Sequence, residues 1–300
     1  MRKWIKRTGI GVGGLVAVVL AAVAVVYAAS EMRFRRELQI AAAPLSVQPA
    51  PGLVERGRHL ATAVGKCGDC HGANLGGTRF LDAGPLGTVI ASNLTSGRGG
   101  VLAKYDDAAL ERAIRHGVGQ DGRGLFIMPS TEFYHFSDQD VAAIIAYLRT
   151  VPPVDNELPA SEIRTLGRAL YMAGQLPLVP AEKMDHSAPR LPAAPGVTVE
   201  YGRYLATVGG CTGCHGADLA GAPSHDPNGP PAANLTPAPA ALGNWSEADF
   251  FRALRTGVRP SGTAIDASMP WASSGRMTDD EIRALWMYLR TVPAKETPKA

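Results

Sequence analysis

The first feature along the chain is a long apolar segment near the N-terminus. From Gly9 to Ala29 no side chain is charged, and as an α-helix this stretch would be about 31 Å long, close to the ~30 Å hydrocarbon core of a bilayer. A cleaved signal peptide is the alternative, because Val26-Tyr27-Ala28 resembles a cleavage site, but the apolar part of a signal is usually about 7–15 residues long. We therefore favour an uncleaved transmembrane anchor, with a basic head made of Arg2, Lys3, Lys6 and Arg7.

After this segment, two stretches of chain show the same helical pattern of apolar residues. Each contains a helix before a pair of cysteines, a middle helix and a last helix. The middle helices begin at Asp106 and Ser246, which are good N-caps, and end at Gly117 and Gly257.

The last helix of each stretch has the clearest apolar face. Its N-cap is Ser137 in the first stretch and Thr278 in the second, where Glu281 completes a capping box. The apolar positions follow the i, i+3, i+4, i+7 spacing of one buried helix face. They are Val141, Ile144, Ile145 and Leu148 in the first stretch, and Ile282, Leu285, Trp286 and Leu289 in the second. Sustained strand alternation is absent from the sequence, so we predict an all-α fold.

The two stretches are copies of one domain. Glu55-Arg-Gly-Arg-His-Leu-Ala-Thr recurs as Glu200-Tyr-Gly-Arg-Tyr-Leu-Ala-Thr, and the order of every later motif is the same in both. A period this long indicates tandem domains and not a solenoid. The predicted organisation is a head, anchor and juxtamembrane segment over 1–44, domain 1 over 45–153, a linker over 154–196, and domain 2 with a short tail over 197–300. The linker is rich in proline and therefore semi-rigid, with a short helix expected around Ser161–Met172.

Charge is distributed unevenly between these parts. The net charge is +3, and the excess lies in residues 1–44, which hold seven Lys/Arg against two Glu. Residues 45–153 hold ten charges of each sign, and residues 196–294 hold seven basic and nine acidic side chains. Neither domain has the basic surface that nucleic-acid binding requires.

The four cysteines of the chain all belong to Cys-x-x-Cys-His motifs: Cys67, Cys70 and His71 in the first copy, and Cys211, Cys214 and His215 in the second. Two thiols at this spacing reach the two vinyl groups of one porphyrin, and the adjacent imidazole binds the iron. A redox dithiol would need a βαβ setting, and structural zinc would need four ligands where each motif offers three. Two motifs in matched positions predict two covalently attached haem c groups and no disulfide.

A methionine in each copy is the predicted second axial ligand of the iron. Met128 and Met269 are each followed by proline and lie in the loop before the last helix. A lone methionine is usually core filler, but the matched position favours axial ligation. Met277 is a competitor in the second copy, yet it aligns with Phe136, so we predict that it packs in the core. A thioether ligand raises the reduction potential relative to a second histidine.

Both copies resemble class I cytochrome c domains, over residues 55–152 and 200–293. Glu-x-Gly-Arg-x-Leu-Ala, Asn-Leu-Thr and Tyr-Leu-Arg-Thr-Val-Pro are similar to the membrane-bound cytochrome subunits of periplasmic alcohol, aldehyde and related dehydrogenases. The resemblance implies that the first and last helices of each domain cross closely, and Gly57 and Gly202 would permit this approach. We expect Asn93 and Asn234 in a loop at the haem edge, where their amides hydrogen-bond a propionate or a backbone carbonyl.

These features predict an electron-transfer protein with no catalytic residues of its own. We expect it to be a single-pass protein of the bacterial inner membrane, with both haem domains in the periplasm, because c-type haem is attached outside the cytoplasmic membrane. The expected donor is a periplasmic dehydrogenase or the quinol pool, and the expected acceptor is a downstream cytochrome or oxidase. A di-haem redox enzyme of the peroxidase or thiosulfate-oxidising type is the alternative. It requires an open iron site, which two methionine ligands oppose.

Overall fold

The structure is a computed structural model that describes residues 2–40, 45, 47, 50–191, 194–224 and 229–298 of the 300-residue chain, with side chains from Arg7 onward. The side chains of Arg2, Lys3 and Lys6 in the predicted basic head lie outside this part. Helix α1 (Arg2–Phe34) contains the apolar segment and is long and apolar enough to cross a membrane. Its apolar side chains are exposed from Ile10 to Val25, as expected of a surface that faces lipid.

Domain 1 is built on helices whose ends are set by capping. The N-cap side chain of Asp106 accepts a hydrogen bond from the amide of Ala109, and the helix ends where Gly117 adopts a left-handed conformation with φ +61°. The helices are α2 (Pro51–His59), which continues as a π-turn over Leu60–Val64, α3 (Cys67–His71), α4 (Asp107–His116), α5 (Ser130–Phe133) and α6 (Asp138–Thr150).

Domain 2 repeats this order of helices. Both of its long helices after the cysteine motif begin with a complete capping box, Ser246 with Asp249 and Thr278 with Glu281. The helices are α8 (Val199–Val208), α9 (Cys211–His215), α10 (Glu247–Thr256), α11 (Trp271–Ser274) and α12 (Asp279–Thr291). One arginine in each domain ties the middle helix to the start of the last one, because Arg115 binds Asp138 and Arg255 binds Asp279.

In both domains the first and last helices cross at a glycine. A Cβ atom at Gly57 would overlap the carbonyl oxygen of Ala143 and lie 2.9 Å from the Cβ of Tyr147. The crossing in domain 2 is the same, since a Cβ atom at Gly202 would overlap the carbonyl of Ala284. The predicted close approach at these two glycines is therefore present in the structure.

A small antiparallel sheet in domain 1 was not expected from the sequence. It has the order β1 (Thr78–Asp82), β2 (Gly87–Ala91) and β3 (Glu162–Ile163). Four of the five residues of β1 are exposed, whereas β2 begins with three buried ones, so neither strand shows the alternation of a half-buried strand. The short third strand comes from the segment that the sequence predicts to be a linker.

That proline-rich segment lies along domain 1. After α6 the chain returns past Asn93 and then forms β3 and helix α7 (Thr165–Met172). Helix α7 is the short helix expected around Ser161–Met172, and it begins four residues later. The side chain of Asn156 donates to the carbonyl of Gly76 at 2.8 Å, and Gly167 lies against the carbonyl of Leu86. Residues 154–172 are therefore packed onto domain 1.

Helix α7 also contacts the C-terminal end of α1. The ring of Phe34 stacks on Tyr171 at 4.9 Å and meets Phe126 edge to face at 5.0 Å. The guanidinium of Arg168 lies 4.6 Å from the centre of the Tyr27 ring and pairs with the carboxylate of Glu31. Because these contacts involve both aromatic stacking and charge, α1 is docked on domain 1 along its last two turns.

Candidate functional site

The two Cys-x-x-Cys-His motifs form equivalent short helices in the two domains. Helix α3 begins after Lys66 and helix α9 begins after Gly210, and both of these preceding residues are left-handed, with φ +52° and +72°. In each motif the histidine is the last residue of the helix, followed by a glycine with positive φ, Gly72 or Gly216. The same backbone path therefore presents both sets of thiols and imidazoles.

A backbone carbonyl orients each histidine of these motifs. Nδ1 of His71 lies 2.7 Å from the carbonyl oxygen of Ser92, and Nδ1 of His215 lies 2.6 Å from that of Ala233. Nδ1 therefore carries the proton, and Nε2 keeps its lone pair for a metal. Burial lowers the pKa of both histidines, which favours the neutral imidazole that binds iron.

Asn93 and Asn234 follow those two carbonyls directly and hold the loop in place. The amide of Asn93 donates to the carbonyl of Val154 at 2.7 Å, and the amide of Asn234 donates to that of Lys295 at the same distance. Both residues are almost fully buried. Of the two acceptors considered, a propionate or a backbone carbonyl, the structure thus shows the carbonyl. Each asparagine ties the loop beside the histidine to the chain that follows the last helix.

Met128 and Met269 begin Met-Pro turns of the same geometry. The carbonyl of each accepts a hydrogen bond from the amide two residues later, at 2.7 Å, and the intervening prolines have nearly equal torsion angles. Both side chains pack at the edge of the hydrophobic core. Ile127, just before Met128, has φ +58°, a strained conformation for a β-branched residue. Met277, the competing methionine, is 2% exposed in the core.

In domain 1 these side chains surround one cavity of about 590 Å³. Cys67, Cys70, His71 and Met128 all line it, and the rest of the wall is mainly apolar, with Leu94, Ile114 and Phe133 among the lining residues. The volume is within the range of cofactor sites, about 300–1,000 Å³. The two thiols can bond to the vinyl groups of a c-type haem, and the imidazole and the thioether can bind its iron. With the apolar wall of the cavity, these residues fit that group. Glu31, Phe34 and Arg35 of α1 also line this cavity.

The Cys67 and Cys70 thiols do not have the character of a redox dithiol. Burial raises the pKa of the Cys67 thiol to about 12 and that of Cys70 to about 11. Reactive cysteines instead have lowered pKa values, because the thiolate is the nucleophile. The electrostatics therefore favour the haem interpretation of the motif over a redox dithiol.

Both motifs lie at the contact between the domains. Asp69 in α3 accepts a hydrogen bond from Ser273 in α11 at 2.8 Å, and Glu132 in α5 lies against Gly213 in α9. The cysteine helix of each domain thus contacts the short helix after the Met-Pro loop of the other. These reciprocal contacts relate the two copies by an approximate twofold axis.

A buried polar cluster next to the motifs holds the domains together. Arg56 in α2 binds both Asp140 of its own domain and Glu281 of domain 2, at 3.2 and 3.0 Å. His59 lies 2.6 Å from Glu281, and Tyr204 donates to Asp140 at 2.5 Å. The individual motifs in the sequence do not predict this cluster. A comparison of the two copies could have indicated it, because its members occupy matched positions at which the copies differ in residue type.

Comparison with known proteins identifies the family to which both domains belong. The family model described as cytochrome c matches residues 54–152 and 199–293. The chain is 30% identical to a nicotinate dehydrogenase subunit of Pseudomonas putida over 88% of its length, and 30% identical to the fructose dehydrogenase cytochrome subunit of Gluconobacter japonicus over 81%. It covers only 23% and 53% of those two proteins. A diheme cytochrome c-type protein of Cereibacter sphaeroides is 27% identical, over 82% of this chain and 88% of the relative.

Proposed function

Because the chain belongs to the cytochrome c family, we propose that it is a membrane-anchored di-haem cytochrome. It transfers single electrons between a periplasmic dehydrogenase or the quinol pool and a downstream cytochrome or oxidase. The relatives include cytochrome subunits of dehydrogenases, which supports a dehydrogenase as partner. The observation that carries the proposal is the matched set of two thiols, an oriented histidine and a Met-Pro loop in each domain, with both cysteine helices at the contact between the domains.

Each residue of the set has a separate task in this proposal. Cys67 and Cys70 hold one haem by thioethers, and Cys211 and Cys214 hold the other. His71 and His215 would hold the iron through Nε2, and Met128 and Met269 would supply the thioether ligands. The bound haem supplies a one-electron couple at iron, and the protein supplies ligation, burial and orientation. Since the iron is bound on both sides, the protein excludes substrate from it.

The contact between the domains supports transfer within one molecule. Each helix that carries a motif contacts the other domain, α3 through the hydrogen bond of Asp69 with Ser273 and α9 through Gly213, which lies against Glu132. The docked anchor helix contributes Glu31, Phe34 and Arg35 to the wall of the domain 1 cavity. Domain 1 is therefore the proposed membrane-proximal centre, and domain 2 the distal one that meets a soluble partner. In this proposal both haem domains lie on the periplasmic side of a single-pass anchor, where c-type haem is attached.

Carbon monoxide binding tests this function against the di-haem enzyme. The full chain is purified in detergent, its haem content is measured as the pyridine haemochrome, and carbon monoxide is added to the reduced protein. We expect two haem c groups per chain and no rapid binding, because both irons have two protein ligands. Rapid binding to one haem per chain would contradict the carrier and favour a di-haem enzyme.

Methionine variants provide the positive control for that measurement. Met128→Ala and Met269→Ala should each remove about half of the far-red methionine–ferric absorption band and open one iron to carbon monoxide. Met277→Leu is the matched control, since Met277 is a core residue and its replacement should leave the band unchanged. If both alanine variants keep the full band, the assignment of the axial ligands is wrong.

A further inference from the structure

Lys66 of domain 1 reaches across the interface to the segment that precedes the cysteine motif of domain 2. It directly precedes Cys67, and its side chain lines the domain 1 cavity. Its Nζ donates to the carbonyl of Val64 at 3.0 Å and to the carbonyl of Gly209 at 2.5 Å. Gly209 lies two residues before Cys211, so the ammonium is located between the two attachment segments.

The backbone at Lys66 is in a conformation that does not suit a lysine. Its φ is +52°, and the residue at the same position of domain 2 is Gly210, with φ +72°. Glycine adopts this region without steric cost, whereas an L-residue with a side chain is strained there. A Cβ atom at Gly210 would meet nothing within 4 Å, so packing does not explain why the two copies differ. The lysine side chain must therefore offset this strain by what its ammonium contacts.

We propose that Lys66 is a positioning residue whose positive charge is shared by the two haem sites and raises the reduction potential of both. The inference rests on the proposed function, because it requires a haem at each motif. A cation favours the reduced iron, which carries one positive charge less, and the effect is strong where water is excluded. Burial lowers the pKa of Lys66, and the Asp69 carboxylate opposes this shift, so the ammonium is favoured at mildly acidic pH. Both carbonyl acceptors also favour the ammonium.

The test is a spectroelectrochemical redox titration of the full-length protein in detergent, at mildly acidic pH. Lys66→Gly removes the charge and introduces the residue that domain 2 has at this position, which relieves the backbone strain. Lys66→Met removes the charge and keeps the chain length, and Lys66→Arg keeps the charge. We expect both midpoint potentials to fall in the glycine and methionine variants and to return toward the native values in the arginine variant.

Two controls separate the charge from the loss of a contact. Ser273→Ala breaks the hydrogen bond to Asp69 across the same interface without changing charge, and Lys104→Met removes an exposed lysine of domain 1. Neither should move both potentials. The inference is overturned if neither potential moves in Lys66→Gly, if only the first moves, or if Lys66→Arg behaves like Lys66→Met. A native protein without two haem c groups would instead refute the proposed function, before any variant is measured.

Discussion

The helix crossing in domain 1 makes a sharp prediction about stability. Replacing Gly57 by alanine places a methyl group where α2 and α6 touch, overlapping the carbonyl of Ala143 and 2.9 Å from the Cβ of Tyr147. Carbon atoms in contact prefer about 3.5–4.0 Å, so the helices must separate by roughly 1 Å. Such a gap forfeits a quarter to a half of the dispersion energy of each facing atom pair.

The expected net loss follows from two opposing terms. Overpacking of a well-packed interior usually costs about 1–3 kcal/mol and sometimes more, and overlap with backbone places Gly57→Ala at the upper end. Alanine gains about 1 kcal/mol over glycine in helix propensity. We therefore expect Gly57→Ala to reduce the free energy of unfolding of domain 1 by about 2 kcal/mol. Gly202→Ala should have the same effect on domain 2, where the geometry is matched.

Guanidinium unfolding of the full chain in detergent measures this loss, with the far-red methionine–ferric band as a local probe of the packed haem pocket. The control is Gly52→Ala, because Gly52 is also in α2 and a Cβ atom there would meet nothing within 4 Å. That variant should be neutral or slightly stabilised through helix propensity. The steric reasoning is refuted if Gly57→Ala unfolds at the same denaturant concentration as Gly52→Ala.

Three other predictions concern the remaining contacts. Burial alone would raise the pKa of Glu281, but His59 and Arg56 outweigh it and hold the pKa at about 2, below 4.5. The lowered pKa stabilises the folded state by up to about 3 kcal/mol, and this stabilisation is complete above pH 4.5 and lost as the pH falls toward 2. Glu281→Gln should therefore flatten the acid part of a denaturation profile. Asn93→Ala removes the shorter of the two hydrogen bonds to the carbonyl of Val154 and leaves the amide of Thr95 without its acceptor, so it should cost about 1–3 kcal/mol and broaden the His71-dependent signals in the NMR spectrum. Phe34→Ala should increase hydrogen exchange of α7 amides but not of α12 amides, and equal α7 exchange in the variant and the wild type would argue against a docked anchor.

Local signals in the sequence predict much of the fold. The ends of α4, α10 and α12 were predicted correctly because Asp106, Ser246 and Thr278 cap them through contacts within one turn. The sheet was missed because β3 pairs with a strand about seventy residues away, and its two residues carry no pattern of their own. The packing of residues 154–172 on domain 1 was also missed, since a proline-rich composition predicts stiffness and not a binding surface.

The site likewise combines features that short sequence motifs predict with features that depend on residues distant in the sequence. The two cysteine motifs and the Met-Pro loops are short patterns with a known chemistry, so they could be found without a structure. Arg56, His59 and Lys66 act across the domain interface, and each looks like an ordinary charged surface residue in its own segment. What marks them is comparison of the copies, because Arg56 matches Tyr201, His59 matches Tyr204 and Lys66 matches Gly210.

Those differences between the copies have a physical cause in the symmetry of the interface. Two copies related by an approximate twofold axis bring matched positions near each other, so identical charges would face one another. If Tyr201 were a second arginine, two guanidinium groups would be close together in a place largely excluded from water. The chain avoids this with cations on domain 1, phenols on domain 2, and the acids Asp140 and Glu281 between them. The complementary pairing fixes one orientation of the domains, and in that orientation the cysteine helix of each domain contacts the short helix after the Met-Pro loop of the other.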